Sequence, residues 1–274
     1  MNMRSFLSRL YLGGGALLAA SYPLVIERLS LQINTYRIPV RRLPQAFDGF
    51  TIIHLADLHY GPLLSLNGVQ QVVDQVNCME RDIVVNTGDN LVHHGNPQAV
   101  DEVWRVLTQL SAPRGVYSVL GNHDHWGGAG RSLAWMEKSG QNLRHRSVAI
   151  EKYGSRIWLG GAGDFRADEP GIDAAFAGVP DEECKILLAH NPDTAELPFN
   201  TSVHLVLSGH THGGQVVLPF LGPPVLPVHN RRYSSGFVRS DHTNLFISRG
   251  IGSTAPIRFN CPAEIAVLKL TPEA

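Results

Sequence analysis

The chain of 274 residues carries 23 basic and 24 acidic side chains, a formal net charge of -1, and 43% hydrophobic residues. That balance is ordinary for a globular protein, and it excludes the global basic field that draws nucleic acid to a surface. The length allows one sizeable core, and Cys78, Cys184 and Cys261 are too scattered for a disulfide framework or a C-x-x-C pair.

Residues 1–43 differ in texture from the rest. Arg4 and Arg9 precede an apolar stretch, residues 10–26, which reads as a membrane anchor or signal segment followed by a linker. Ala19 and Ser21 offer a weak small-x-small cleavage site. Arg28, Arg37, Arg41 and Arg42 favour a cytoplasmic domain, whereas the basic start resembles an export signal, so both faces stay open. Residues 44–274 then read as one folded domain. Residues 35–40 suggest an edge strand shortened by Pro39 and Pro44.

From residue 51 strands and helices alternate. Apolar runs at 51–56, 82–87 and 115–120 predict buried strands, and helical spacing recurs at Val69, Val72, Val73, Val76 and Met79. It recurs again at Val103, Trp104, Val106, Leu107 and Leu110, and residues 132–138 suggest a third helix. After His145 strands dominate, with a hairpin from residues 147–150 and 156–160 and further runs at 184–189, 203–207, 245–248 and 265–270. This order predicts an α/β fold of two sheets packed face to face with helices outside, a four-layer αββα sandwich. Residues 213–233, with Pro219, Pro223, Pro224 and Pro227 among apolar side chains, form a long loop without a period. It is a candidate lid or acyl-chain contact, or equally a segment packed under a sheet edge.

Five of the predicted strands run into polar residues able to bind metal or move protons. They lead to Asp57 and His59, to Asp89, to Asn122, His123 and Asp124, to His190, and to His210 and His212. Open α/β sheets place ligands at the carboxyl ends of strands, so one shared site is the economical reading. Two carboxylates (Asp57, Asp89), four imidazoles (His59, His190, His210, His212) and the Asn122 amide oxygen suit zinc, manganese or iron better than calcium or magnesium. Seven donors exceed one tetrahedral ion and match two ions about 4 Å apart with a bridging carboxylate. Two divalent cations less two aspartates leave a positive surplus for hydroxide and one anionic group, the environment that attack on a phosphate ester by metal-bound hydroxide requires. His123, followed by Asp124, has the arrangement of a general acid for the leaving oxygen with a carboxylate to orient it; the alternative is a loop cap.

In order and spacing, Asp57-x-His59, Gly88-Asp89, Gly121-Asn122-His123-Asp124, His190 and Gly209-His210-Thr211-His212 resemble the calcineurin-like metallophosphoesterase superfamily. The wording around His190 and His210 is similar to its YaeI- and YkuE-like bacterial phosphodiesterase branch. The resemblance covers residues 51–270 and implies the αββα sandwich and a dinuclear site of manganese, iron or zinc. It further implies that Asp57, His59, Asp89 and His212 hold one metal, with Asp89 bridging, and that Asn122, His190 and His210 complete the other. His123 would be the acid, steered by Asp124. Many relatives carry an acidic residue where this chain has Val92, followed by His93 and His94; that departure bears on the surroundings of the ligands, metal preference and substrate placement, not on the ligands themselves.

The expected function is a metal-dependent phosphodiesterase or pyrophosphatase at a bacterial inner membrane. Its partner would be a phosphoester, with a phosphorylated lipid such as UDP-2,3-diacylglucosamine implied by the resemblance and no nucleic acid expected. A broad phosphomonoesterase or nuclease and a metal-stabilised, non-catalytic scaffold are the alternatives. Arg231, Arg232, Arg249 and Arg258 are candidates for phosphate contact because a guanidinium fork matches phosphate oxygens. The oligomeric state is not legible.

Overall fold

The computed structural model describes residues 21–92, 96–240 and 243–273. Its first five-stranded sheet is built from β1 (Leu31–Val40), β2 (Thr51–Leu55), β3 (Ile83–Asn86), β4 (Val116–Ser118) and the last strand of the chain. The second sheet takes β5 (Ser147–Lys152), β6 (Ser155–Gly161), β7 (Lys185–Leu188), β8 (Leu205–Ser208), β9 (Gly236–Val238) and β10 (Asn244–Ile247). With β11 (Ala263–Pro272), the orders are β1-β11-β2-β3-β4 and β5-β6-β7-β8-β10-β9. β2, β3 and β4 run parallel, as do β6, β7, β8 and β10, so their carboxyl ends gather on one edge of each sheet.

The two sheets face each other because their strands alternate. Ile52, Ile186, Leu188, Leu205, Leu207 and Phe246 point into the core between the sheets. Their neighbours Ile53 and Leu55 point outward under helices, and Leu187, Val206, Leu245 and Ile247 outward on the far side. The helices α1 (Leu66–Asn77), α2 (Pro97–Leu107) and α3 (Asn122–Ser139) cover the first sheet. Ser65 and Asn96 cap α1 and α2 by accepting the amides of Gly68 (3.2 Å) and Ala99 (2.7 Å). Val69, Val72, Val73, Val76, Val103, Trp104 and Leu107 bury the predicted stripes, each side chain worth roughly 1.5–3 kcal/mol of burial.

The αββα order holds, and its fourth layer is thin. The second sheet is covered by the single-turn α4 (Ile172–Ala175), the 3-10 turn Pro192–Glu196 and loops. α3 begins ten residues earlier than the 132–138 expected, because Asn122, His123 and Asp124 are its first turn; Gly128 kinks it (φ 131°).

β1 spans ten residues and pairs with β11 along its whole length, with Pro39 tolerated because β1 is an edge. The boundary drawn after residue 43 therefore falls inside one structural unit. The inner-membrane placement through residues 10–26 is corrected here: among the described residues no helix is long and apolar enough to cross a membrane. Residues 10–20 lie outside the described residues. The described remainder, the π turn Tyr22–Ile26 and Glu27–Leu29, is held on the domain, with the Arg258 amide donating to the Pro23 carbonyl (3.0 Å) and the Cys261 amide to the buried Glu27 carboxylate (2.5 Å).

Candidate metal centre

Every ligand candidate lies within four residues of the carboxyl end of a parallel strand, Asp57 and His59 after β2, Asp89 after β3, Asn122 after β4, His190 after β7, His210 and His212 after β8. Asp57, His59, Asp89, His210 and His212 all have φ between 49° and 71°. Left-handed backbone at a residue bearing a Cβ costs on the order of 1 kcal/mol and persists only where the surroundings impose it. Here the ladder between β2 and β3 imposes it by continuing past the strand ends: the amides of Asp57 and His59 donate to the carbonyls of Gly88 and Asp89, both at 2.9 Å.

The turns of the second sheet dock onto these. The His210 amide donates to both Asp57 carboxylate oxygens at 3.0 Å, and the His123 amide donates to Asp89 Oδ1 at 2.9 Å. Gly209 and Gly121 are required by this close approach, since a Cβ there would lie 2.3 Å from Asp57 Oδ2 and 2.2 Å from Asp89 Oδ1. Ligand atoms of Asp57, His59 and His212 lie within 4.8 Å of one another, and so do those of Asp89, His190 and His210. His59, Asp89 and His123 form a third such set linking the two.

The hydrogen bonds fix which ring nitrogens face inward. His190 Nδ1 lies 2.9 Å from the Thr87 carbonyl and His210 Nε2 3.1 Å from the Pro227 carbonyl, so each of these nitrogens carries the proton. His190 Nε2 and His210 Nδ1 then face each other at 3.1 Å, with Asp89 Oδ2 also 3.1 Å from His190 Nε2, so a positive charge is called for among the three, a proton on His190 or a metal ion in its place. Asn122 Oδ1 is buried with no hydrogen-bond partner among the described residues. The donor set therefore fits divalent metal ions.

Charge points the same way. Burial, reinforced by the negative charge of Asp89, raises the Asp57 and Asp124 carboxyls to about 7. Burial would raise Asp89 too, but His190, through its charge and hydrogen bond, holds it well below the carboxylate range. Burial opposes a charge on His190, yet the Asp89 carboxylate outweighs it and lifts the imidazole to about 10. Burial depresses His59 to about 4, His210 to about 3 and His212 well below its ordinary value, which keeps them neutral, as ligands must be. Three carboxylates in one dry space form a sink for positive charge, which protons on Asp57, Asp124 and His190 fill without metal and which divalent ions would take over.

His123 is half-buried, its ring edge-on to His59 (4.7 Å) and tilted on Trp126 (4.9 Å). Asp124 accepts the amides of Asn90 (2.9 Å) and Gly121 (3.1 Å), tying the start of α3 to the Asp89 turn, so it sets the backbone that carries His123. A cavity of about 520 Å³ opens beside Asp89, Asn122, His123, His210 and His212, walled by Trp126, Val216, Pro224, Val225, Pro227 and Ile257. The apolar loop 213–233 thus supplies one wall of the site.

The arginines chosen from sequence do not line this cavity. Arg231 donates to the Pro223 carbonyl (2.8 Å), Arg232 to that of Arg239 (3.3 Å), and Arg249 pairs with Glu264 (3.0 Å). Arg258 is fully buried and braces the carbonyls of Arg249, Gly252 and Cys261. Instead Arg166 lines the cavity; it sits in an aperiodic turn whose only sequence signal is its place just beyond a strand. Val92 lies over Gly61. His93 and His94 lie outside the described residues.

The fold and the clustered ligands define a metal-dependent phosphoester hydrolase, and the chain belongs to the calcineurin-like phosphoesterases, whose family model matches residues 50–214. Among its relatives, the "Uncharacterized metallophosphoesterase YkuE" of Bacillus subtilis is 32% identical over 98% of both chains. "Phosphodiesterase YaeI" of Escherichia coli is 29% identical over 81% of this chain and 82% of its own. Of solved structures, a dimetal phosphatase from Danio rerio aligns over 76% of this chain and 90% of its own, with 14% identity and a TM-score of 0.45.

Proposed function

We propose that the protein hydrolyses phosphodiesters or pyrophosphates at a pair of divalent ions. The carrying observation is that two donor sets, Asp57–His59–His212 and Asp89–His190–His210, are joined through Asp89. Asp89 would be shared between the two ions, and Asn122 Oδ1, without a hydrogen-bond partner among the described residues, would complete the second set. When bound, the ions supply Lewis acidity and a water of lowered pKa. The chain does the rest. His123, on the cavity wall, gives a proton to the departing oxygen, and Asp124 fixes the turn that aims it. The walls of Trp126, Val216, Val225 and Ile257 suit an ester with one apolar arm, which supports a phosphorylated lipid, of which an acylated nucleotide such as UDP-2,3-diacylglucosamine is one form.

The test is hydrolysis of bis(p-nitrophenyl) phosphate by the full chain with manganese, zinc or iron added, set against Asp89→Ala. Metal-dependent turnover and near-stoichiometric uptake of two ions, both lost in the variant, are expected. Equal background in the two proteins identifies a scaffold instead.

A further inference from the structure

We propose that Arg166 is the residue that grips the substrate's phosphoryl group, and that Asp164 positions it. The inference rests on the hydrolase reading above and adds a contact that reading lacks. A phosphodiester brings non-bridging oxygens whose charge the ions share only in part, and a second cation with a planar fork is the usual complement. Among the described residues, Arg166 is the one lysine or arginine that lines the cavity beside Asp89 and His123. The other walls are largely apolar, so its charge acts there with little competition.

Its placement is built. Arg166 Nη2 donates to the Pro227 carbonyl at 2.5 Å, the same oxygen that takes the His210 Nε2–H at 3.1 Å. The guanidinium is thereby held within two hydrogen-bond lengths of a ligand imidazole. The residue is otherwise exposed, so the remaining N–H groups face the cavity and solvent.

Asp164 explains why the arginine stands at this point. It lies just past the carboxyl end of β6, 1% exposed, and its Oδ1 accepts the amides of Arg166 (2.9 Å) and Ala167 (2.8 Å). Those two bonds close the turn that throws the Arg166 side chain toward the ligands. Its Oδ2 is buried with no hydrogen-bond partner among the described residues.

The alternative is that Arg166 merely ties two loops together through Pro227. Four variants of the full, metal-loaded chain separate the two: Arg166→Gln, Arg166→Lys, Asp164→Asn and Asp164→Ala. The readouts are KM and kcat on bis(p-nitrophenyl) phosphate, inhibition by inorganic phosphate, bound metal per chain and thermal midpoint. Glutamine can still donate to the Pro227 carbonyl but has no charge. A phosphate grip predicts that Arg166→Gln loses roughly 10- to 100-fold in kcat/KM, mostly in KM, with phosphate inhibition weakened in step. Metal content and midpoint stay at wild-type values, and lysine recovers part of the loss. Asp164→Ala should raise KM while Asp164→Asn, which keeps the acceptor, raises it less. Wild-type KM and phosphate inhibition in Arg166→Gln would overturn the proposal while leaving hydrolysis intact. So would a loss that tracks a fall in metal content or midpoint. Failure of the hydrolase reading looks different, since the wild type itself would then show no metal-dependent turnover.

Discussion

The two halves of the molecule reach the same edge by different means. In the first, the turns after β2 and β3 are laced by backbone bonds that continue the parallel ladder, and three helices lie behind them. In the second, His190 and the His210–His212 turn stand on a sheet with a thin outer cover, and they are registered to the first half through the His210 amide on Asp57 and His190 Nδ1 on the Thr87 carbonyl (2.9 Å). The first half supplies rigid carboxylates. The second supplies imidazoles and, in its irregular loop, the cavity wall. A centre built this way keeps its charge pattern while the substrate side is free to vary with a loop.

The largest effect expected from breaking this division is at the ligands. His212→Ala should remove the ion of the Asp57 set and His210→Ala that of the Asp89 set, so each protein should retain about one ion per chain by elemental analysis. Each should lose more than the roughly 10- to 100-fold in activity that changes outside the ligand shell cost. Loss of both ions in either variant would show that the two sets do not fill separately.

The joint between the halves comes next. Gly209→Ala puts a methyl into the Asp57 carboxylate and should cut activity at least tenfold with weakened metal uptake. Gly222→Ala, in the irregular loop, meets nothing within 4 Å and carries only the strain of φ 73°, about 1 kcal/mol of stability with activity kept. Equal losses in the two would argue that the docking of the halves is looser than the contacts imply.

The smallest effect concerns the core behind the site. His54, fully buried on β2 with Nε2 2.9 Å from Thr87 Oγ1, is held by burial at about 3, below its ordinary 6.5. Between those values the unfolded chain binds the extra proton, so the stability from neutral His54 is complete above about pH 6.5 and lost as pH falls toward 3. Urea unfolding of metal-free protein should show a decline worth up to about 5 kcal/mol across that window from this group. In His54→Gln the slope should flatten; an unchanged slope would place the acid sensitivity elsewhere.

Much of the centre was legible because each ligand is a local event, an apolar run broken by an acid, amide or imidazole. Helix α3 was only half legible: its first turn is polar and Gly127, Gly128 and Gly130 dilute any helical period. Pro39 reads as a breaker within residues 35–40, yet β1 runs through it because an edge strand has no partner for the missing amide. The arginines show a related limit of sequence proximity. Arg231 and Arg232 stand near the ligands in sequence yet serve loop carbonyls, whereas Arg166, more than forty residues before His210, reaches the cavity because β6 ends on the same edge as β7.

By itself the sequence determined the alternation that makes two sheets and the chemistry of the residues at their ends, since periodicity and residue type are properties of short stretches. Only the tertiary structure decided that Asp89 lies between two donor sets, which imidazole nitrogens turn inward, and that Arg166 faces the cavity. Those depend on distances between turns far apart in the chain, and such distances are set by strand order and sheet packing, which no single stretch encodes.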